Sequence, residues 1–329
     1  MKAILHNTQN PNEPLKIGEA EKPIPSENEI LVKVKATALN RADLLQREGK
    51  YPPPKGASEI LGLEIAGEVV EVGKSVTKHK VGDDVFGLVG GGGYAEFAVI
   101  DEKMAIPKPQ YFSFEQAAAI PEVFLTAFQT IFWTFGVTEK NDTSILIHAG
   151  ASGVGSAAIQ ICKVLGMKVF VTASKQKHSF CQNLGADVVI DYQNEDFEKI
   201  VLEKTEGRGV DFIIDFIGQK YWKQNLNSIA TDGKMALLAA MSGAKLENAN
   251  LAKILLKRIQ ITGSTLRSRS LDYQRMLNQH FIEFALPLFK TGELKPVVDF
   301  IFDWNLVEQA HQYMQNNKNK GKIILSVSL

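Results

Sequence analysis

The sequence predicts an α/β chain in which a β-rich domain is interrupted by a doubly wound parallel sheet. Three observations carry this. Ser144–Gly155, SILIHAGASGVG, is an apolar run that ends in a turn punctuated by Gly150, Gly153 and Gly155. Behind it, Ala157, Ile161, Val164 and Leu165 recur at helical spacing and Gly166 closes the pattern. Such a strand, glycine turn and helix is the first unit of a dinucleotide-binding fold. Third, strand and helix patterns alternate from there to Gly263, whereas residues 1–100 carry short alternating strands with turn signals between them, so the parallel sheet lies inside a different domain.

In chain order, Met1–His6, Glu29–Ala38, Leu63–Val72, Asp84–Leu88 and Tyr94–Val99 read as strands. A short helix follows Asn40 and ends at Gly49, and Pro52–Pro54 hold the next segment extended beside Tyr51. The run Gly90–Gly93 reads as a hinge, the alternative being a place where a ligand meets backbone. Phe112–Ala118 and Pro121–Phe135 read as helices, the second apolar nearly all round and so buried. After the glycine turn come a strand at Lys168–Ala173, a helix at Lys177–Leu184, a strand at Val188–Asp191 and a helix at Asp196–Thr205. Val210–Phe216, Lys234–Ala239 and Ile259–Gly263 are further strands, with helices at Trp222–Ser228 and Leu251–Leu256. Beyond Ser270, a helix at Asp272–Phe289 and another at Leu306–Asn316 lie among strands at Lys295–Phe302 and Ile323–Val327. That pattern does not continue the alternation, so it completes the first domain. The boundaries expected are 1–121 with 267–329 for the β-rich domain and 122–266 for the inserted one.

Composition narrows the function classes. The chain has 329 residues with 37 Lys+Arg against 37 Asp+Glu, so no net charge steers it to nucleic acid or an anionic membrane. No signal peptide pattern and no stretch of transmembrane length is present. The cysteines, Cys162 and Cys181, fall in helical patterns and read as reduced structural thiols of a cytoplasmic protein. The histidines His6, His79, His148, His178, His280 and His311 show no ligand spacing. His148 reads as a packed or loop-bonded residue.

Chemistry concentrates at the glycine turn. Glycine permits close backbone approach, and a helix N-terminus favours a diphosphate. An NAD site places Asp or Glu at the end of the next strand to bind the ribose 2′-OH. Here Ala173-Ser174-Lys175-Gln176-Lys177 stands there, with two cations suited to a 2′-phosphate, so the cofactor expected is NADPH. The alternative is that Lys175 and Lys177 are ordinary solvated lysines. Tyr51, on its proline-stiffened edge, either presents its hydroxyl to a ligand or packs on the prolines.

The stretches ALNRADLLQREGKYPPP (38–54), LGLEIAGEV (61–69), AAAIPEVFLTAFQ (117–129), LIHAGASGVGSAAIQ (146–160), LRSR (266–269) and NKNKGKIIL (317–325) run nearly end to end. Together they resemble the medium-chain dehydrogenase/reductase superfamily, and within it the zinc-free, zeta-crystallin-like quinone oxidoreductases, nearest to the group inducible by a tumour suppressor. The resemblance implies a GroES-like catalytic domain interrupted by a Rossmann domain, NADPH as cofactor and a homodimer built on the sheet edges. It implies that Gly150, Ser152, Gly153, Val154 and Gly155 hold the pyrophosphate, that Ser174, Lys177 and Tyr192 meet the 2′-phosphate side, and that Thr126 opens the buried helix toward the cofactor. Ala239, Met241, Ser264 and Leu266 would border the nicotinamide and Asn317 would reach the phosphates. Asn40, Tyr51 and Ser152 would serve catalysis. Zinc-dependent relatives carry Cys where Asn40 stands, His where Leu63 stands and a four-cysteine lobe after about residue 88; none is present here.

The reaction expected is hydride transfer from NADPH to a quinone, an acceptor electron-poor enough to need no Lewis acid. A second reading moves the acceptor to the C=C of an α,β-unsaturated carbonyl, which requires protonation at carbon. A third is non-catalytic: an NADPH-binding, crystallin-like protein, with RNA binding disfavoured by the charge balance.

Overall fold

The computed structural model describes residues 1–7, 10, 13–140, 142–247 and 249–327. The chain divides into two compact units, one of Met1–Leu125, Arg267–Lys290 and Lys295–Leu329, the other of Thr126–Leu266 and Thr291–Leu294.

The first unit begins with β1 (Lys2–Leu5), β2 (Lys16–Glu19), β3 (Glu29–Ala38), α1 (Arg41–Arg47), β4 (Glu64–Val72), β5 (Asp84–Leu88), β6 (Phe97–Asp101), β7 (Ala105–Pro107) and α2 (Phe114–Ala118). The helix α3 (Pro121–Phe128) carries the chain into the second unit. That unit holds β8 (Ser144–Ile147), α4 (Gly153–Val164), β9 (Lys168–Ala173), α5 (His178–Asn183), β10 (Val188–Asp191), α6 (Phe197–Lys204), β11 (Val210–Asp215), α7 (Trp222–Ser228), β12 (Ile229–Leu237), α8 (Leu251–Lys257) and β13 (Gln260–Gly263). The chain then returns to the first unit through α9 (Leu271–Thr291), β14 (Val298–Asp303), α10 (Val307–Gln315) and β15 (Lys322–Ser326).

In the first unit the strand order is β14-β15-β3-β4-β5-β7, with β6 also pairing β3. The ten-residue β3 is its spine: it pairs antiparallel with β4, β6 and β15. Its apolar positions Ile30, Leu31, Val32, Val34, Ala36 and Ala38 are all buried, the pattern of a central strand covered on both faces.

The second unit is a six-stranded sheet in the order β10-β9-β8-β11-β12-β13, parallel throughout. Counted from β8, this is 3-2-1-4-5-6, the doubly wound dinucleotide-binding order, whose switch point falls between β8 and β11. Crossover helices cover the sheet, which is why β8 reads as an unbroken apolar run with all four residues buried. Leu146, Phe170, Ile190, Ile213 and Met235 pack beneath Phe197, Val201, Tyr221 and Leu226.

The structure revises several sequence readings. Gly90–Gly93 is not a hinge: Gly92 and Gly93 donate to Ile60 and Gly62, and the Gly90 carbonyl takes the Arg267 guanidinium. The strand expected from Tyr94 starts at Phe97, because the backbone of Tyr94 and Ala95 pairs instead with Ile4, Leu61 and Ala3. The helix expected over Pro121–Phe135 is α-helical only to Phe128, and Gln129–Thr134 forms a π-type turn. The strand Lys234–Ala239 begins earlier, at Ile229, and stops at Leu237. The strands β2 and β7 are too short and too weakly patterned to be read from sequence.

Candidate functional site

At the switch point of the parallel sheet, β8 ends and the chain turns through Ala149, which takes the left-handed φ of 51°. Ser152 caps α4, its hydroxyl accepting the Gly155 N–H at 3.1 Å. The turn is closed too tightly for a side chain at Gly155: a Cβ there would lie 2.4 Å from the Ala149 carbonyl. This leaves the first-turn amides of Gly153 and Val154 as donors at the positive end of a twelve-residue helix. That donor set suits a diphosphate.

One strand over, Ala173 ends β9 beside Asp191 at the end of β10. Ser174 and the single-turn helix Lys175–Lys177 follow the first, and Tyr192, 42% exposed, follows the second. Ser174, Lys177 and Tyr192 therefore emerge from neighbouring strand ends. Beyond β12 and β13, Leu238, Met241 and Ser242 donate to Asp215, Phe216 and Ile217, and Ser264 donates to Leu237. Ala239, Met241, Ser264 and Leu266 thus all follow the carboxyl ends of the sheet, where ligands bind in this architecture. Gln129 donates to the Ser264 hydroxyl. Thr126 lies within α3, where the resemblance would turn it toward the cofactor. Pro121 opens that helix, because proline suits a first helical turn, and Thr126 sits five residues in, its carbonyl accepting the Thr130 hydroxyl.

A buried polar chain that sequence reasoning did not find underpins these loops. His148 meets the Thr172 hydroxyl at 3.1 Å and Asn225 Oδ1 at 2.8 Å. Asn225 donates to Asp215, and Asp215 accepts from the amides of Ile217 and Gly218. Burial pushes the His148 pKa down to about 4, so it is neutral at pH 7.

The first unit holds the other candidates. Asn40 is the N-cap of α1, and its amide is held at both ends. Lys322 Nζ donates to Asn40 Oδ1 at 2.6 Å, to the Leu39 carbonyl at 2.7 Å and to Glu64 Oε1 at 2.7 Å. Asn40 Nδ2 donates to the same Glu64 oxygen at 2.8 Å. Glu64 Oε2 accepts the Glu122 N–H at 2.8 Å. Beside them, Asp43 accepts from the amides of Asn40 and Gly62, and the Tyr94 hydroxyl lies between Asp43 and His311. Gly62 must be glycine: at φ 95° its Cβ would press on Tyr94. Burial raises the Asp43 pKa to about 6 and that of Glu122 to about 7, the latter helped by repulsion from Glu64. Burial also raises the Tyr51 pKa, with Glu122 adding to it. Asn317 lies in this unit, at φ 52°, its side-chain oxygen accepting from Arg41 at 2.8 Å.

Lys322, Glu64, Asp43, Glu122 and Arg267 escaped the sequence reading. For the first four the signal was a single charge set inside apolar runs, GKIIL, GLEIAG, ADLL and IPEVF, whereas Arg267 in the polar TLRSRS carries no such signal.

Two domain families match. Residues 26–110 match the alcohol dehydrogenase GroES-like domain and residues 153–281 match the zinc-binding dehydrogenase domain. The crystal structure of Escherichia coli quinone oxidoreductase complexed with NADPH superposes with a TM-score of 0.87 at 30% identity, covering 99% of each chain.

The chain belongs to the medium-chain dehydrogenase/reductase superfamily.

Other members are similar over most of its length. The synaptic vesicle membrane protein VAT-1 homolog of Danio rerio is 32% identical over 93% of this chain and 65% of its own. The CurK enoyl reductase structure has a TM-score of 0.85 at 27% identity, covering 99% of this chain and 98% of that one. The chain spans under two thirds of the VAT-1 homolog and 14% of a matching phenolphthiocerol synthesis polyketide synthase of Mycobacterium bovis. The first unit is thus the GroES-like domain and the second a Rossmann-type domain.

The family name raises zinc, and the residues here do not fit it. A zinc set needs thiolate, imidazole or carboxylate donors in a tetrahedron. The position of the relatives' cysteine is an amide whose oxygen already faces an ammonium, and that of their histidine is the buried Leu63. Among the described residues no group of three or more His, Cys, Asp or Glu is placed to hold a metal. Among them, too, no helix is long and apolar enough to cross a membrane.

Proposed function

We propose that this chain is a zinc-independent NADPH:quinone oxidoreductase. The observation that carries the reading is the Lys322–Asn40–Glu64 clamp: a fixed cation and a doubly held amide stand where zinc-dependent relatives gather metal ligands. NADPH, when bound, supplies the hydride. The chain's own part is binding, orientation and the exclusion of water. Ser152, Gly153, Val154 and Gly155 hold the diphosphate with Gly150 shaping the turn, and Ser174, Lys177 and Tyr192 receive the 2′-phosphate. Ala239, Met241, Ser264, Leu266 and Thr126 border the nicotinamide, and Asn317 serves the phosphates. Asn40 and Tyr51 face the acceptor, with the Tyr51 hydroxyl donating to the oxygen being reduced.

The chain also forms a homodimer in this reading. The outer strand β13 leaves one edge unpaired, and Leu251, Leu255 and Leu256 on the preceding α8 are 68%, 76% and 76% exposed. An unpaired edge beside an apolar patch is suited to a second copy. In this reading the chain is a cytoplasmic enzyme with a small-molecule substrate, and its charge balance of 37 Lys+Arg against 37 Asp+Glu offers nucleic acid no basic surface excess.

The test is an acceptor panel assayed with NADPH and NADH side by side. Ortho-quinones should turn over with NADPH preferred by about tenfold, or about 1.4 kcal/mol. Turnover of an enal with none of any quinone would move the assignment to the C=C reductases. NADPH binding without oxidation by any acceptor would move it to a non-catalytic role. Tyr51→Phe should lower quinone turnover with cofactor affinity intact; unchanged turnover would reduce Tyr51 to packing.

A further inference from the structure

Five buried side-chain polar atoms of the GroES-like domain have no partner among the described residues, on Gln46, Glu122, Arg267, Asn278 and His311, and two of these groups, Glu122 and Arg267, act on the same tyrosine. Arg267 is 7% exposed. Its Nε and Nη2 both donate to the Gly90 carbonyl, at 2.9 and 2.7 Å, which fixes the guanidinium plane. Its Nη1 is sealed from solvent and has no acceptor among the described residues. The guanidinium carbon lies 5.5 Å from the centre of the Tyr51 ring. Glu122, the second residue of α3, spends its backbone N–H on Glu64, while its own Oε2 is buried without a donor. Glu122 and Arg267 interact electrostatically with Tyr51 and with each other.

A buried polar group left unpaired costs about 1–3 kcal/mol, more when charged. Packing does not require that cost here. The Gly90 contact already anchors Arg267, and a glutamine or an apolar residue would fill the Glu122 position. Two orphaned atoms around one tyrosine are explained together by a polar ligand atom that completes the set.

We infer that Arg267, Tyr51 and Glu122 form the subsite for the acceptor's carbonyl oxygen, with Arg267 Nη1 and the Tyr51 hydroxyl holding that oxygen and Glu122 storing the proton it takes up. The inference rests on the quinone reductase reading and names its acceptor-side residues. The groups facing Glu122 are Glu64 on β4, Asp43 on α1, Lys322 on β15, Arg267 and Tyr51. Three carboxyls face two cations, so the cluster is balanced when one carboxyl keeps its proton. Burial, and then Glu64, place that proton on Glu122, whose pKa is raised to about 7. On reduction, the quinone gains a hydride's two electrons and hydrogen from NADPH and becomes the hydroquinone monoanion, while NADPH becomes NADP⁺. The O–H bond of Glu122 breaks as the product O–H bond forms, and the Glu122 carboxylate recovers a proton from water.

The experiment uses the full chain with Arg267→Lys, Arg267→Gln and Glu122→Gln. It reads kcat and KM for an ortho-quinone across pH, NADPH affinity by fluorescence, and the affinity of catechol, a probe that needs no turnover. Carbon-13 NMR of glutamate-labelled protein follows the carboxyl directly. In the wild type, kcat should fall as pH rises through about 7, and a carboxyl titrating there should vanish in Glu122→Gln together with that limb of the profile. Both Arg267 variants should weaken the quinone KM and the catechol affinity by about tenfold, with NADPH affinity changed less than about twofold. Unchanged KM and catechol affinity in Arg267 variants that melt as the wild type overturns the subsite. So does a pH limb that persists in Glu122→Gln. If no quinone turns over in the wild type, the quinone reading falls by itself. Catechol binding and the carboxyl titration then decide the subsite, and failure of both overturns it.

Discussion

Replacing Lys322 with methionine is the sharpest perturbation of the GroES-like domain. Lys322 is 3% exposed and spends its three N–H donors on Glu64 Oε1, Asn40 Oδ1 and the Leu39 carbonyl. Methionine fills most of the volume and removes the charge and all three bonds. Glu64, 0% exposed, is left buried beside Asp43 and Glu122 with no ion-pair partner of its own among the described residues. Breaking a buried pair by removing one partner costs about 3–5 kcal/mol. In a domain of this size that lowers the melting temperature by about 10 °C, from the usual 2–4 °C per kcal/mol. The assay is thermal unfolding of the full chain with and without NADPH. The double variant Lys322→Met/Glu64→Gln should regain about half of the loss, because the orphaned charge is gone. A loss below about 1 kcal/mol, or a double variant no better than the single one, would refute the view that this ion pair holds Asn40 in place.

Further outcomes are expected elsewhere. Glu122 has a folded pKa of about 7 against 4.5 for the free side chain, so its contribution to stability is complete below about 4.5 and is lost as pH rises through about 7; urea titrations should show Glu122→Gln flattening that slope. Ser152→Ala removes the cap of α4 and should cost about 1 kcal/mol of stability, and the diphosphate role adds a several-fold weaker NADPH Kd. Lys177→Ala should erase most of the preference for NADPH over NADH, read as the ratio of kcat/KM values. Leu255→Asp with Leu256→Asp should convert the dimer to monomers in light scattering, with NADPH binding retained.

The inserted sheet was legible because its signals are local. Ser144–Ile147 is apolar on both faces, Gly150 and Gly155 stand where no Cβ fits, and helix and strand alternate without a break. The buried charges were not legible, because each meets its partners only through long-range pairing. Lys322 reaches Asn40 across 282 positions of sequence and Arg267 reaches Gly90 across 177. A single lysine in GKIIL looks like a strand's solvent face until β15 is seen lying beside β3. The four glycines at Gly90–Gly93 misled for the same reason: composition suggests mobility, whereas the backbone bonds to Ile60 and Gly62 and the Arg267 contact hold them.

The most direct test of metal-independent quinone reduction is NADPH oxidation by an ortho-quinone, measured on protein stripped with a strong chelator and assayed for zinc content. Full turnover is expected at far less than one zinc per chain, unchanged when zinc is added back. Turnover that disappears on stripping and returns with stoichiometric zinc would rule out metal-independent reduction.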